Sequence, residues 1–201
     1  MEPVDLALLI ALDCSASVTF EEFNLIAGGC AAALRDQQVV AGFTGGARGA
    51  SLCALLLFSS PDAQAVSVPW TRIVTPADLE RFAADVDSTP RLVRAGTTAI
   101  GSALVAAGAL LDILPAPARR RVIDVVSDGG ANDGPAPEPI RDRLVDAGVT
   151  INGLCVLHEE PDLVATFTAT IIGGPGAFAE QCQDYDGFAD AMRRKLQREI
   201  A

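Results

Sequence analysis

The chain has 201 residues and a formal net charge of −11 at pH 7, because 26 acidic side chains outnumber 15 basic ones. This charge argues against nucleic acid as a partner, and no apolar run reaches the ~18 residues that membrane insertion requires. Half of the residues are hydrophobic, and the length and composition together predict one well-packed domain over residues 1–201.

Strand-like and helix-like segments alternate along the chain. An apolar run at 4–12 predicts a buried strand, and Thr19 with Glu22 forms the capping box of a helix at 21–34. The next expected segments, in chain order, are a Gly-rich loop at 42–49, a strand at 51–59, an edge strand at 64–69, a helix at 76–86, a helix at 98–114, a strand at 121–126, a helix at 139–147, a strand at 149–157 with a candidate bulge at Asn152-Gly153, a short helix at 162–170, a short strand at 177–180 and a helix at 188–200.

This alternation predicts a doubly wound α/β fold. Strands that alternate with helices imply right-handed crossovers and a mostly parallel sheet with helices on both faces. Continuous apolar runs fit strands that are buried on both sides. Ligands of such folds bind beyond the carboxyl ends of the strands, and Asp13 and Asp128 both follow predicted strand ends.

The segment after the first strand carries the clearest chemical signal. Asp13, Ser15 and Ser17 stand at alternate positions, so in an extended loop their oxygens point the same way. Hard oxygen donors of this kind suit Mg²⁺, Mn²⁺ or Ca²⁺. The alternative interpretation is a Ser-rich N-cap of the helix that begins near Thr19.

Two distant segments strengthen the metal interpretation. Thr97-Thr98 leads into an apolar helix, and Ser127-Asp128-Gly129 ends a later strand. Together with Asp-x-Ser-x-Ser, and in the same order along the chain, they resemble the metal-ion-dependent adhesion site (MIDAS) of von Willebrand factor A (VWA) domains. Further segments, including Val68-Pro69-Trp70-Thr71 and Ile172-Gly173-Gly174-Pro175-Gly176-Ala177-Phe178, look like one bacterial subfamily of VWA-like proteins without an assigned biochemical function.

The resemblance implies a Rossmann-like VWA fold and a specific ligand set. It makes Asp13 and Asp128 the carboxylates, bound to the metal directly or through water, and Ser15, Ser17 and Thr98 the hydroxyl ligands. The spacing to the helix that follows favours Thr98 over Thr97. The sequence departs from the family pattern at Ala16, which replaces the usual glycine, and at Cys14, which places a thiol inside the motif. Neither departure removes a ligand.

The implied function is a metal-dependent adhesion or docking module. Mg²⁺, or Mn²⁺ or Ca²⁺, requires more oxygens than these residues supply, so an Asp or Glu of a protein partner would complete the coordination. Members of the subfamily resemble secreted or periplasmic proteins, which predicts an extracytoplasmic location. A cytoplasmic location is the alternative, since Glu2 and Asp5 precede the first apolar run where a signal peptide would carry basic residues.

The sequence favours a binding module over an enzyme. A Mg²⁺-dependent hydrolase or phosphatase is the main alternative, and a structural subunit without metal function is another. An aspartyl phosphatase would need a second Asp where Ser15 stands, and the only lysine is Lys195, in the predicted last helix. The single histidine, His158, has no evident nucleophile, and we expect Glu21, Asp133 and His158 to line the rim of the site. We interpret the basic clusters 119–121 and 193–195, with Arg198, as solvated surface.

Overall fold

A computed structural model describes residues 2–200. Its strands are β1 (Val4–Asp13), β2 (Ser51–Phe58), β3 (Gln64–Ile73), β4 (Ala118–Ser127), β5 (Val149–Val156) and β6 (Ala179–Cys182). Its helices are α1 (Phe20–Leu34), α2 (Gln37–Gly45), α3 (Pro76–Asp87), α4 (Ile100–Asp112), α5 (Pro137–Asp146), α6 (Leu163–Thr170) and α7 (Phe188–Ile200).

The strands form one six-stranded sheet in the order β3-β2-β1-β4-β5-β6. β3 runs antiparallel to β2, and the other neighbouring strands pair in parallel. β1 lies in the centre between β2 and β4, with Leu12 opposite both Leu57 and Val126. The predicted doubly wound, mostly parallel α/β fold is confirmed.

The core lies on both faces of this sheet. Alternate residues of β1 point to opposite sides, so Leu8 and Ile10 pack with α1 and α7, whereas Leu9 packs with α4. All three side chains are fully buried. Burial on both faces explains why β1 is a continuous apolar run and why its two ends are the places left for polar chemistry.

Helix α2 was not predicted: residues 37–41 had no expected element, and residues 42–45 were expected to begin a Gly-rich loop. The carboxylate of Asp36 caps the helix by accepting from the backbone N–H of Gln38 at 3.0 Å, and Val39 and Phe43 are buried. Gly42 stands against the side chain of Ile200, with no room for a Cβ. The glycine therefore serves close helix packing rather than a turn.

Further details differ from the sequence-based expectations. β5 pairs with β4 and β6 in regular register through Asn152 and Gly153, so the expected bulge is wrong; the ladder irregularity lies in the β2–β3 pair. The edge strand β3 continues to Ile73, and the last strand begins two residues later than expected.

Within residues 2–200, every helix is too short or too polar to cross a membrane.

Lys195 corrects the interpretation of the second basic cluster. Its side chain is fully buried on the inner face of α7 and forms ion pairs with Asp124 of β4 and Glu199 of α7. The neighbouring Arg194 is exposed and pairs with Glu180 at the surface. The cluster therefore joins a surface cation to a buried one that docks α7 against the sheet.

Candidate metal centre

The two candidate carboxylates lie side by side at the carboxyl edge of the sheet. Asp13 is the last residue of β1, and Asp128 directly follows β4, its parallel neighbour. Both side chains are 1% exposed. The central strand pair thus delivers two buried acidic groups to the position where ligands bind in doubly wound folds.

The Asp-x-Ser-x-Ser loop folds back onto these carboxylates. The backbone N–H of Ser15 donates to Asp13 Oδ1 at 2.7 Å. The hydroxyl oxygens of Ser15 and Ser17 are 3.1 Å apart, and Ser17 donates to Asp128 Oδ1 at 2.8 Å. Four of the five residues that the sequence singled out are therefore joined by one chain of hydrogen bonds.

Thr98 reaches the same edge through its backbone. Its N–H donates to Asn132 Oδ1 at 2.8 Å and its carbonyl accepts from Asn132 N–H at 3.0 Å, which ties it to the loop that follows Asp128. On the other side, Ala16 N–H donates to Gly96 O at 2.8 Å. The Thr98 side chain is buried, and in the described part of the chain its hydroxyl forms no hydrogen bond with the other four candidates.

Two further residues hold the carboxylates and were missed by the sequence analysis. The Ser127 hydroxyl donates to Asp13 Oδ2, and the Tyr185 hydroxyl donates to Asp128 Oδ2 at 2.9 Å. Ser127 could have been found, because it is the polar residue that ends β4 next to Asp128. Tyr185 has no signal in the local sequence, since it lies 57 residues from its acceptor.

Arg91 holds the Asp-x-Ser-x-Ser loop in place through hydrogen bonds to its backbone. Its guanidinium donates to the carbonyls of Cys14 and Val18, both at 2.7 Å, and lies over the ring of Phe20, 5.2 Å from the ring centre. These contacts involve backbone carbonyls rather than Asp13. The arginine therefore shapes the loop and leaves the charge of the carboxylates uncompensated.

The electrostatics of the site are dominated by burial. Burial raises the pKa of Asp13 to about 6, against the hydrogen bonds from Ser127 and Ser15, and the nearby charge of Asp128 acts in the same direction as burial. Burial and the same Asp128 charge raise the pKa of Tyr185, so the phenol stays protonated and remains a donor. No lysine or arginine of residues 2–200 forms an ion pair with Asp13 or Asp128.

This donor set fits a hard divalent cation. Buried carboxylates normally have a cationic partner, and here the described side chains provide none. Carboxylate and hydroxyl oxygens are what Mg²⁺, Mn²⁺ and Ca²⁺ prefer. The described residues contain no cluster of three or more His, Cys, Asp or Glu side chains suited to a metal, so the hydroxyls are essential to any metal site here.

Two of the three expected rim residues contact residues near the site. Asp133 accepts a hydrogen bond from the Thr97 hydroxyl at 2.8 Å. His158 is half exposed, with its ring 6.5 Å from that of Tyr185 and its Nε2 3.6 Å from Glu159. Glu21 is exposed in the first turn of α1. All three expected rim residues are therefore polar, and two of them are acidic.

Comparisons with known structures identify the fold. Proximal thread matrix protein 1 (PTMP1) from the mussel byssus, in a structure described as having a zinc-occupied MIDAS motif, is 19% identical with a TM-score of 0.68 over 98% of this chain and 46% of its own. A von Willebrand factor type A structure from Catenulispora acidiphila is 16% identical, with a TM-score of 0.64, and the match covers 98% of this chain and 43% of the other. The pilus adhesin SpaC from Lactobacillus rhamnosus GG is 12% identical (TM-score 0.68; 98% and 31% covered).

These likenesses show that the chain has a VWA-like fold, which confirms the resemblance inferred from its motifs. The chain spans less than half the length of each of these three proteins. A comparison with curated proteins finds no match. The family described as "Protein of unknown function (DUF1194)" matches residues 3–201, and the chain belongs to that family.

Proposed function

We propose that this member of the DUF1194 family is a divalent-metal-dependent protein-binding module formed by a single domain. One observation carries the proposal: two buried carboxylates, Asp13 and Asp128, are joined by hydrogen bonds through Ser15 and Ser17 and have no cationic partner among the described side chains. The proposed ligands of Mg²⁺, or of Mn²⁺ or Ca²⁺, are Asp13, Ser15, Ser17, Thr98 and Asp128.

The chemistry that the cation would supply is an open coordination position for a carboxylate oxygen. Two carboxylates and three hydroxyls are fewer than the six oxygens of Mg²⁺, which keeps waters when protein ligands run short. A partner Asp or Glu would fill one such position. The surface beside the loop suits a protein contact because it exposes two large apolar side chains. Phe20, which lies against the Arg91 guanidinium, is 69% exposed, and Leu92, the residue after Arg91, is 56% exposed.

We further propose that the chain is not an enzyme. Burial raises the pKa of Cys14 to about 12, so its thiol is protonated and is a poor nucleophile at neutral pH. Lys195 is held in a buried ion-pair cluster. Within residues 2–200, His158 makes no hydrogen bond to a serine, threonine or cysteine side chain.

For the location, we propose an extracytoplasmic one, as the subfamily resemblance implies. The likeness to a pilus adhesin supports this proposal. Fractionation of the source cells, with the chain followed by antibody, tests it directly: recovery with the cytoplasmic fraction would contradict the proposal.

Isothermal titration with Mg²⁺, Mn²⁺ and Ca²⁺ tests the metal site. The wild-type chain should bind one cation, and Asp13→Ala should abolish binding. Asp112→Ala is the matched control, since Asp112 is an exposed carboxylate at the end of α4 and should leave binding unchanged. Unchanged binding in Asp13→Ala would overturn the ligand assignment.

The partner carboxylate can be tested with a small probe. Acetate added to the Mn²⁺-loaded chain should displace a metal-bound water and lower the paramagnetic relaxation of bulk water. Acetamide has the same shape without the charge and should have no effect. Equal effects of the two probes would count against recognition of a carboxylate.

A further inference from the structure

Each oxygen of Asp128 accepts a hydrogen bond from a different hydroxyl. Ser17, on the first loop, donates to Oδ1 at 2.8 Å, and Tyr185 donates to Oδ2 at 2.9 Å. Ser17 belongs to the motif after β1, whereas Tyr185 comes from the opposite end of the chain. The tyrosine is 7% exposed, so its hydrogen bond is shielded from water.

The local structure fixes the position of the Tyr185 hydroxyl. Tyr185–Gly187 forms a 3-10 turn between β6 and α7, and the carboxylate of Asp184 closes it by accepting from Gly187 N–H at 3.2 Å. The next residue, Phe188, is fully buried, and its ring packs so closely on Gly29 of α1 that an added Cβ would lie 2.6 Å from it. The phenol is therefore delivered to Asp128 by a turn that is anchored on both sides.

We infer that Tyr185 is a positioning residue of the metal centre, acting through Asp128. The inference rests on the proposed metal-binding function. With hydroxyl donors on both oxygens, the Asp128 carboxylate cannot rotate freely, yet each oxygen keeps a lone pair for a further contact. Carboxylates that bind metals are commonly oriented in this way by neighbouring hydrogen-bond donors, whose loss typically weakens metal affinity by about 10–100-fold.

Tyr185→Phe removes only the hydroxyl and keeps the buried ring. By titration calorimetry we expect it to weaken Mn²⁺ or Mg²⁺ binding by about tenfold, the lower end of that range, because Ser17 still holds the other oxygen. Thr44→Val is the matched control: it removes a hydroxyl that donates to Val40 O within α2, and should bind metal as the wild type does. Circular dichroism verifies that both variants are folded.

A spectroscopic measurement separates positioning from general stability. The chain contains one tyrosine and one tryptophan, so ¹³C labelling of each ring gives a single set of resonances. Saturation with Mg²⁺ should shift the Tyr185 ring resonance next to the hydroxyl. The Trp70 indole, which donates to Leu110 O at 3.0 Å, should stay in place.

The possible outcomes are distinguishable. A wild-type chain that binds no divalent cation overturns the proposed function and this inference together. A wild-type chain that binds metal, with Tyr185→Phe of equal affinity or with a Tyr185 resonance that does not move, overturns the positioning role alone. Weaker binding in Tyr185→Phe together with a shifted resonance in the wild type supports it.

Discussion

Replacing Lys195 by methionine should destabilise the fold strongly. The ammonium is fully buried, lies 2.7 Å from Glu199 Oε1, and pairs with Asp124. Methionine keeps most of the apolar stem and removes the charge. Apart from Lys195, Glu199 keeps only a hydrogen bond from Asn152 Nδ2 at 2.6 Å, and neither oxygen of Asp124 has another hydrogen-bond partner in residues 2–200.

The expected loss follows from the charges that remain. Burial and the charge of Glu199 raise the pKa of Asp124 well above its usual value. Burial lowers the pKa of Lys195, but the attraction of Asp124 and Glu199 outweighs it, so that the pKa of Lys195 is raised. Burial raises the pKa of Glu199, but the charge of Lys195 and the hydrogen bonds to Glu199 outweigh it, so that the pKa of Glu199 is lowered. The cluster therefore holds a single ammonium group, on Lys195, against two buried carboxyl groups. Breaking a buried pair by removing one partner costs about 3–5 kcal/mol.

Urea unfolding followed by circular dichroism measures this loss. Lys195→Met should lower the free energy of unfolding by about 3–5 kcal/mol. The neighbouring substitution Arg194→Met is the control: it breaks only the exposed ion pair with Glu180 and should lower the free energy of unfolding by about 1 kcal/mol or less. Asp124→Asn should cost less than Lys195→Met, because it removes one of the two carboxyl groups and keeps the Lys195–Glu199 ion pair. A Lys195→Met chain within about 1 kcal/mol of the wild type would refute this reasoning.

Two further variants test the packing and capping of the fold. Hydrogen bonds from the side chain and backbone of Thr75 lower the pKa of Asp78 to about 2, below its value in the unfolded chain. Asp78 therefore stabilises α3 fully above about pH 4, and this stabilisation is lost as the pH falls through about 2. Asp78→Ala should therefore lower the free energy of unfolding by about 1 kcal/mol at pH 7 and by less at pH 2, and an equal loss at both would contradict the capping role. Gly101→Ala should lower the free energy of unfolding by about 1–3 kcal/mol, because the added Cβ would collide with the carbonyl of Pro135. Gly45→Ala is the control: no atom lies within 4 Å of its added Cβ, so it should be neutral or slightly stabilising. Equal stabilities of the two variants in thermal unfolding would refute the packing argument.

The elements that the sequence predicts well are those with a strong local signal. The apolar run of β1 and the capping box of α1 at Thr19 and Glu22 lie where the residue pattern indicates. The same local signals place Asp13 and Asp128 at strand ends, and parallel pairing of β1 with β4 then brings them together. The ligand assignment built on them stays a prediction.

Glycines show where local patterns mislead. Gly42 resembles part of a loop but lies inside α2 against Ile200, and Gly153 resembles a bulge but gives the ring of Phe167 room in a regular strand. In both positions the reason for glycine is a neighbour that is distant in sequence. Periodicity and turn preferences describe a residue's own segment, so they cannot report such a contact.

By itself the sequence determined the doubly wound fold and the strand ends that carry the candidate oxygens, because burial pattern and motif spacing are properties of single segments. Only the tertiary structure decided that Tyr185 reaches Asp128 and that Lys195, in a run of surface-type cations, is buried against Asp124. Both contacts depend on how α7 and the turn before it dock on the sheet. Docking is settled by packing among many distant side chains, and no single segment contains that information.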